Sequence, residues 1–220
     1  MSADVRAQIT ALGASMFTRR LTHGRTGNIS ARTGDGFLIT PTGSSLAALS
    51  TRELSLVGLD GDHLSGPRPS KEAFLHAAFY RARPHAGAVV HLHSTYSVAV
   101  SCHDGLDPDD VLPPLTAYYV MRVGRLPMLP YHAPGDSALG PLAEQAARNA
   151  HALLLANHGP IVAAPDLAAA ADIVEELEET ARLWLLLRDR PTRPLTPAQV
   201  TDLYARYSPD IHHDRKRNTT

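Results

Sequence analysis

The stretch Ala88-Val89-Val90-His91-Leu92-His93-Ser94 decides the fold of this 220-residue chain. Its apolar, β-branched residues are typical of a short strand rather than a helix. Side chains alternate between the two faces of a strand, so His91 and His93 share one face. Their Cα atoms stand roughly 6–7 Å apart at a rise of about 3.3 Å per residue, close enough for both rings to reach one metal ion. We therefore expect a strand that presents a histidine pair.

Short strand patterns and helical patterns alternate along the rest of the chain. The predicted strands cover 29–32, 37–40, 54–59, 88–94, 118–123, 126–131, 152–155 and 161–163. Predicted helices occupy the N-terminal segment, the segments near 70–83, 138–149 and 197–207, and a long segment from Asp166 that includes Trp184, with a short helix after Ser94. The strands 29–32 and 37–40 flank a four-residue turn and are predicted to form a hairpin.

Polar residues ahead of the apolar patterns predict where helices begin. Ser70 is predicted to cap the helix that runs to about Arg83, and Ser94 to cap the next, short helix. The longest helix carries four clustered glutamates, at 175, 176, 178 and 179, mostly off its apolar stripe. They predict a solvated face, on which Arg182 is the helical partner of Glu178.

Composition sets limits on the class of protein. The chain is 44% hydrophobic and 20% charged, as in ordinary globular proteins, and its 21 basic and 22 acidic residues favour neither nucleic acid nor a membrane. Cys102 is the only cysteine, which fits a reducing compartment, and neither a signal-peptide pattern nor an apolar run of roughly 20 residues occurs. We expect one cytoplasmic domain over 1–207 and a polar, disordered tail over 208–220.

Glu72 is the first candidate for chemistry. Leu75, His76 and Phe79 follow it at helical spacing, so its carboxylate shares the buried face of that helix. A buried carboxylate needs a partner, which a metal ion or a substrate proton would supply. The alternative is a glutamate stabilised only by the helix dipole. Because the same helix leads directly into the histidine strand, the first interpretation is favoured.

A third histidine follows another apolar strand. His158 lies within Asn157-His158-Gly159-Pro160, an irregular segment that can aim the ring at a pocket. By itself it would be read as a structural histidine. With His91 and His93 it completes a three-histidine site with one open position, which is the catalytic form of zinc coordination.

Three polar segments indicate an anion pocket near Glu72. They are Thr26-Gly27-Asn28, Thr42-Gly43-Ser44 and Ser70-Lys71, which offer small residues, hydroxyls, an amide and one ammonium group. A helix N-terminus after Ser70 would add backbone donors. No phosphate-binding Gly-rich loop or dinucleotide fingerprint occurs, so a nucleotide is disfavoured. Each segment taken singly is an ordinary turn, but together they favour a phosphate site.

These motifs together resemble the class II aldolase/adducin superfamily, from about Gly24 to Leu187. The motifs that carry the resemblance are Gly27-Asn28-Ile29-Ser30, Pro41-Thr42-Gly43, Ser70-Lys71-Glu72, His91-Leu92-His93-Ser94 and Asn157-His158-Gly159. Within the superfamily, residues 90–97, 118–124 and 175–181 look most like the 3-oxo-tetronate 4-phosphate decarboxylases. The resemblance implies an α/β fold, a three-layer α/β/α arrangement around a largely antiparallel sheet, and a homotetramer with active sites at subunit interfaces.

The resemblance also implies roles for individual residues. His91, His93 and His158 match the zinc ligands. Glu72 matches a carboxylate that acts as acid and base and can itself approach the metal. Tyr118 fits the proton donor, with Tyr119 as the alternative placement. The matches to phosphate-binding positions are Asn28, Thr42, Gly43 and Ser70; Lys71 stands where the sugar-phosphate aldolases often have a second serine.

The expected activity is zinc-dependent decarboxylation of a 3-oxo-tetronate 4-phosphate to dihydroxyacetone phosphate and carbon dioxide through an enediolate. Another divalent transition metal could replace zinc. One alternative is a class II sugar-phosphate aldolase or epimerase of the fuculose or ribulose phosphate type, which forms the same enediolate. The other is a non-catalytic, adducin-like binding module. In each enzymatic case the partner is a small phosphorylated sugar or sugar acid, and neither nucleic acid nor membrane is expected.

Overall fold

Helices and strands alternate in the computed structural model, which describes residues 2–34 and 36–207. The strands are β1 (Asn28–Thr33), β2 (Gly36–Ile39), β3 (Ser55–Gly58), β4 (His63–Ser65), β5 (Ala88–His91), β6 (Met128–Leu129), β7 (Ala152–Leu155) and β8 (Gly159–Ala164). The helices are α1 (Ser2–Thr18), α2 (Ala73–Ala82), α3 (Thr95–Ser101), α4 (Ala117–Arg122), α5 (Leu139–Ala147), α6 (Leu167–Leu187) and α7 (Pro197–Tyr207). The expected tail, 208–220, lies outside the described residues.

All of these strands join one sheet, in the order β4-β3-β2-β1-β5-β8-β7-β6. Neighbouring strands are antiparallel except β6 and β7, which are parallel. The histidine strand β5 is central, between β1 and β8. Its last residue, His91, lies opposite Asn28 on one side and Ile161 on the other. The predicted hairpin of β1 and β2 is confirmed, with Thr33 opposite Gly36.

Helices cover both faces of the sheet. Val89 points toward one apolar cluster, to which α2 and α5 contribute, and Val90 points toward a second cluster, to which α1, α3, α4 and α6 contribute. All four residues of β5 are buried, which explains their nearly continuous apolar sequence. The expected three-layer α/β/α fold around a largely antiparallel sheet is therefore confirmed. His91 alternates with Val90, so its ring lies on the α2 face.

The predicted strand at 118–123 is wrong. Ala117–Arg122 forms α4, and the Thr116 hydroxyl accepts a hydrogen bond from the Tyr119 backbone N–H at 3.0 Å. Tyr119, Val120 and Val123 are buried on one side, at helical spacing. The aromatic and β-branched composition favours a strand, but this N-terminal cap and the one-sided burial favour a helix. The strand predicted at 126–131 is reduced to Met128–Leu129.

Two helix caps also differ from the prediction. Helix α2 begins at Ala73, its N-cap is Glu72 rather than Ser70, and the Ser70 hydroxyl accepts from the Glu72 backbone N–H at 3.2 Å. Ser94 is the N-cap of α3, but its hydroxyl is buried without a partner among the described residues. Ser70-Lys71 therefore precedes the helix as a turn.

The expectation for Glu178 is wrong. Its carboxylate is buried and accepts hydrogen bonds from Tyr96 and Ser97 at the N-terminus of α3. Arg182 instead contacts the exposed Glu179 at 3.4 Å. The helical spacing predicted Arg182 as a neighbour, but packing of α6 against α3 supplies closer donors. Of the described helices, none is long and apolar enough to span a membrane.

Candidate metal centre and active site

The end of β5 places the first imidazole. His91 is fully buried, and its Nδ1 lies 2.8 Å from the Pro160 carbonyl oxygen on β8. Because a carbonyl oxygen only accepts, Nδ1 carries the proton and donates it, which leaves the lone pair of Nε2 facing the site. A backbone acceptor behind a metal-ligating histidine commonly fixes its tautomer in this way.

The other two imidazoles come from irregular segments on either side of α3. The strand predicted over 88–94 ends at His91, so the expectation that both histidines lie on the strand is wrong: His93 lies past the end of β5, in the link to α3. His158 follows Asn157, which has a left-handed φ of 56°. The Ser101 carbonyl accepts from the Asn157 N–H at 3.0 Å, and the Ser101 hydroxyl accepts from the His158 N–H at 3.2 Å. The C-terminal end of α3 thus holds the turn that aims His158.

The three Nε2 atoms converge on one point. His93 Nε2 lies 3.2 Å from His91 Nε2 and 3.0 Å from His158 Nε2. Zinc–nitrogen bonds of about 2.0–2.1 Å at tetrahedral angles need nitrogens roughly 3.3 Å apart. Among the described residues, these three histidines form a group whose ligand atoms all lie within 4.8 Å of one another. The residues present therefore fit a single divalent metal ion.

His93 and His158 are held in the neutral form that binds a metal. Burial, and then the electrostatic effect of the adjacent His91 ring, lower the pKa of His93 to about 3 and that of His158 to about 4. At neutral pH both rings are unprotonated, so their lone pairs are free for coordination.

Glu72 reaches the same point from the start of α2. Its Oε2 lies 3.4 Å from His91 Nε2, and its Oε1 lies 3.2 Å from His158 Nε2. Burial by itself would raise the pKa of Glu72, but His91, His158 and the hydrogen bond from Asn28 outweigh burial and lower it. The carboxylate is therefore ionised and faces the three imidazoles, so it can accept a proton or approach a metal ion.

The candidate anion segments lie beside Glu72. The Ser70 N–H donates to the Thr40 carbonyl at 3.2 Å, and the Thr42 N–H donates to the Arg68 carbonyl at 3.0 Å, which joins the two loops. The Thr40 N–H in turn donates to the Ile29 carbonyl on β1, next to Asn28. Tertiary contacts thus bring together segments that are distant in sequence.

The candidate anion-binding residues differ in their exposure to solvent. Gly43 is exposed at a φ of +70°, and the Lys71 side chain is exposed beside Gly135. Asn28 is buried and donates from Nδ2 to Glu72 Oε2 at 2.8 Å. An amide nitrogen carries two hydrogens, so this bond leaves one of them for a ligand.

Comparison with known proteins identifies the family. The class II aldolase and adducin N-terminal domain family matches residues 7–185, most of the chain. The chain belongs to this family. Its fold is the one that the sequence resemblance implied.

Relatives of this class II aldolase/adducin chain include decarboxylases at higher sequence identity and aldolases at lower identity. A 3-oxo-tetronate 4-phosphate decarboxylase of Pectobacterium atrosepticum is 49% identical over 199 residues, covering 90% of this chain and 91% of the relative. The crystal structure of YgbL from Escherichia coli is 45% identical with a TM-score of 0.89, covering 92% of this chain and 98% of that one. An L-fuculose phosphate aldolase of Escherichia coli is 34% identical over 184 residues, 83% of this chain and 80% of the relative.

The structure separates the two tyrosine candidates of this class II aldolase/adducin chain. Tyr118 is 59% exposed on α4, and the Arg122 guanidinium lies 5.6 Å from its ring centre. Within the described residues, no hydrogen bond joins Tyr118 to the histidine centre. Tyr119 is buried, its hydroxyl has no hydrogen-bond partner among the described residues, and burial raises its pKa well above the ordinary value. Only Tyr118 is accessible to a ligand or a second subunit.

Sequence reasoning missed four residues that support this class II aldolase/adducin site: His76, Ser101, Pro160 and Glu178. A signal existed for His76, which follows Glu72 by four residues on the buried face of the same helix. For Glu178, Ser101 and Pro160 the sequence holds no comparable signal, because their partners come from elements far away along the chain.

Proposed function

We propose that this chain is a metal-dependent carboxy-lyase, which converts a 3-oxo-tetronate 4-phosphate into dihydroxyacetone phosphate and carbon dioxide. The observation that carries the proposal is the convergence of three histidine Nε2 atoms and the Glu72 carboxylate. It is supported by 49% identity to a relative named 3-oxo-tetronate 4-phosphate decarboxylase. The single cysteine supports a reducing compartment, and we include a cytoplasmic location in the proposal.

The ligand set proposed for the metal is His91, His93 and His158. A bound zinc ion, or another divalent transition metal, would supply Lewis-acid stabilisation of the negative charge that develops when carbon dioxide leaves. Glu72 is ionised at the same point, so it accepts and holds the proton of a substrate hydroxyl. The buried carboxylate and imidazoles provide a preorganised electrostatic environment, which is commonly the largest single contribution to such catalysis.

When carbon dioxide leaves, the substrate carbon that carried it takes up a proton. We assign the Tyr118 hydroxyl as the donor of this proton. Glu72, which by then holds the hydroxyl proton, returns it to the substrate oxygen, and the exposed Tyr118 hydroxyl recovers its own proton from solvent. The Tyr118 ring is exposed on α4, so we propose that it reaches the site of a neighbouring subunit. A homotetramer with active sites at subunit interfaces satisfies this requirement.

The substrate phosphate is assigned to Asn28, Thr42, Gly43, Ser70 and Lys71. The Ser70 hydroxyl accepts from the Glu72 N–H, and its own hydrogen remains available to donate. Lys71 adds an exposed ammonium group beside it. Binding of the phosphate at a distance from the breaking bond would position the reacting carbon against the metal centre.

The test is release of carbon dioxide from 3-oxo-tetronate 4-phosphate stereoisomers by zinc-loaded protein. Metal-stripped protein is the control, and L-fuculose 1-phosphate is the competing substrate. Metal-dependent carbon dioxide release from one stereoisomer is the expected result. Faster cleavage of the ketose phosphate would replace this proposal with an aldolase, and absence of both activities would favour a binding module.

A further inference from the structure

A chain of buried polar groups runs from Glu72 into the protein interior between β1 and α2. Glu72 Oε2 accepts from Asn28 Nδ2 at 2.8 Å, and Asn28 Oδ1 lies 2.5 Å from His76 Nε2. His76 Nδ1 lies 2.7 Å from the Ser30 hydroxyl, which lies 2.8 Å from the Tyr80 hydroxyl. All five residues are buried.

Only one arrangement of protons satisfies this chain. An ionised carboxylate only accepts, so the Asn28 nitrogen faces Glu72 and the Asn28 oxygen faces His76. His76 Nε2 must then carry the proton, and burial, which lowers the pKa of His76 to about 3, leaves its Nδ1 unprotonated. Ser30 donates to that Nδ1 and accepts from Tyr80. From Tyr80 to Glu72, each group therefore donates a hydrogen bond to the next group in the chain, and the Glu72 carboxylate is the final acceptor.

We infer that His76 is a positioning residue for Glu72, which it holds in place through the Asn28 amide. This inference rests on the proposed function, in which Glu72 accepts the substrate proton. Without a donor at His76 Nε2, the Asn28 amide can turn its oxygen toward Glu72, where two acceptors repel each other. The carboxylate would then lose one hydrogen bond and its fixed orientation.

Two substitutions at this position separate positioning from simple packing. In His76→Gln the side-chain nitrogen can occupy the place of Nε2, so the bond to Asn28 is kept and the bond to Ser30 is lost. In His76→Asn the side-chain oxygen can occupy the place of Nδ1, so the bond to Ser30 is kept and the bond to Asn28 is lost. Each variant loses one hydrogen bond and some ring volume, so we expect similar falls in melting temperature.

The expected result is a difference in turnover that stability does not explain. His76→Asn should lower kcat about 10- to 100-fold with one metal ion per chain retained, whereas His76→Gln should keep most of the wild-type kcat. Equal losses of kcat in the two variants, in proportion to their melting temperatures, would overturn the inference.

A second measurement needs no substrate. Solvent exchange of the Asn28 side-chain amide protons can be followed by nitrogen-15 NMR, with Asn28→Asp to assign the signal. Faster exchange in His76→Asn than in His76→Gln is expected, and equal exchange would overturn the inference. If the wild-type protein releases no carbon dioxide, the proposed function fails, and this exchange experiment alone decides the role of His76.

Discussion

The Glu178 carboxylate on α6 accepts hydrogen bonds from the Ser97 backbone N–H at 2.8 Å and from the Ser97 hydroxyl at 2.7 Å. It also accepts from the Tyr96 N–H at 2.8 Å. Helix α3, which Glu178 caps, begins two residues after His93, and its Ser101 holds the backbone of His158. One buried carboxylate therefore supports the short helix that separates two of the candidate metal ligands.

Glu178→Gln should weaken metal binding as well as the fold. The amide keeps the volume but presents an NH₂ group to a cluster of donors, so α3 loses its charged cap. We expect about 10- to 100-fold weaker zinc binding in a chelator competition and about 2 kcal/mol less free energy of unfolding in urea. Glu179→Gln, at an exposed site on the same helix, is the matched control. Wild-type zinc affinity in Glu178→Gln would contradict this role of α3.

His91→Ala and His93→Ala should each abolish stoichiometric metal binding, because either change removes one of three convergent nitrogens. Elemental analysis of the purified variants is the measurement, with His85→Ala, an exposed histidine, as the control. His151→Ala should also keep its metal but unfold more readily, since His151 is buried and contacts the Arg122 carbonyl. A native protein that contains no metal and is insensitive to chelators would rule out the metal centre.

Glu72→Gln should reduce turnover far more than stability. The amide fits the same buried space and can still accept from Asn28, but it cannot take up a proton. Loss of an acid/base group typically lowers the rate by about 10²–10⁴. Thermal melting and kcat are measured on the same preparation. A near-normal kcat would mean that the carboxylate has only a structural role.

Lys71→Ser should weaken use of the acidic substrate without affecting metal content. A substrate with both a carboxylate and a phosphate carries more negative charge than a ketose phosphate, and Lys71 is an exposed cation beside Ser70. A charged hydrogen bond is worth roughly 1.5–3 kcal/mol, so kcat/KM should fall about 10- to 150-fold. Lys71→Arg, which keeps the charge, is the control. A change within about twofold in Lys71→Ser would indicate a solvated lysine that does not contact substrate.

Tyr118→Phe should lower kcat, whereas Tyr119→Phe should not. Removal of the exposed Tyr118 hydroxyl should lower kcat with unchanged stability, as expected for a lost proton donor. Removal of the buried Tyr119 hydroxyl, which lacks a partner among the described residues, should leave kcat unchanged and stability equal or higher. Steady-state kinetics and thermal melts of both variants distinguish them. Loss of turnover only in Tyr119→Phe would reverse the assignment.

Local sequence patterns predicted the secondary structure correctly where the residues of a segment favour one conformation. The run at β5 is apolar because both faces of that strand are buried. The helix predicted from residue 166 does begin there, where the Asp166 carboxylate accepts from the Ala169 N–H at 2.8 Å. The strand prediction at 118–123 was wrong because this segment is short and rich in residues that suit either a strand or a helix. Its packing against α6 and α7 favours the helix.

The sequence by itself determined the family, and through that resemblance the three-layer fold; it also predicted the candidate ligands, His91 and His93 by spacing, and Glu72 and His158 by the segments around them. Only the tertiary structure decided that their reactive atoms meet, that Glu178 caps α3 and that His76 connects through Asn28 to Glu72. The physical reason is that periodicity reports which face of an element is buried. Which partner is found on that face depends on contacts between elements 44 to 82 residues apart along the chain.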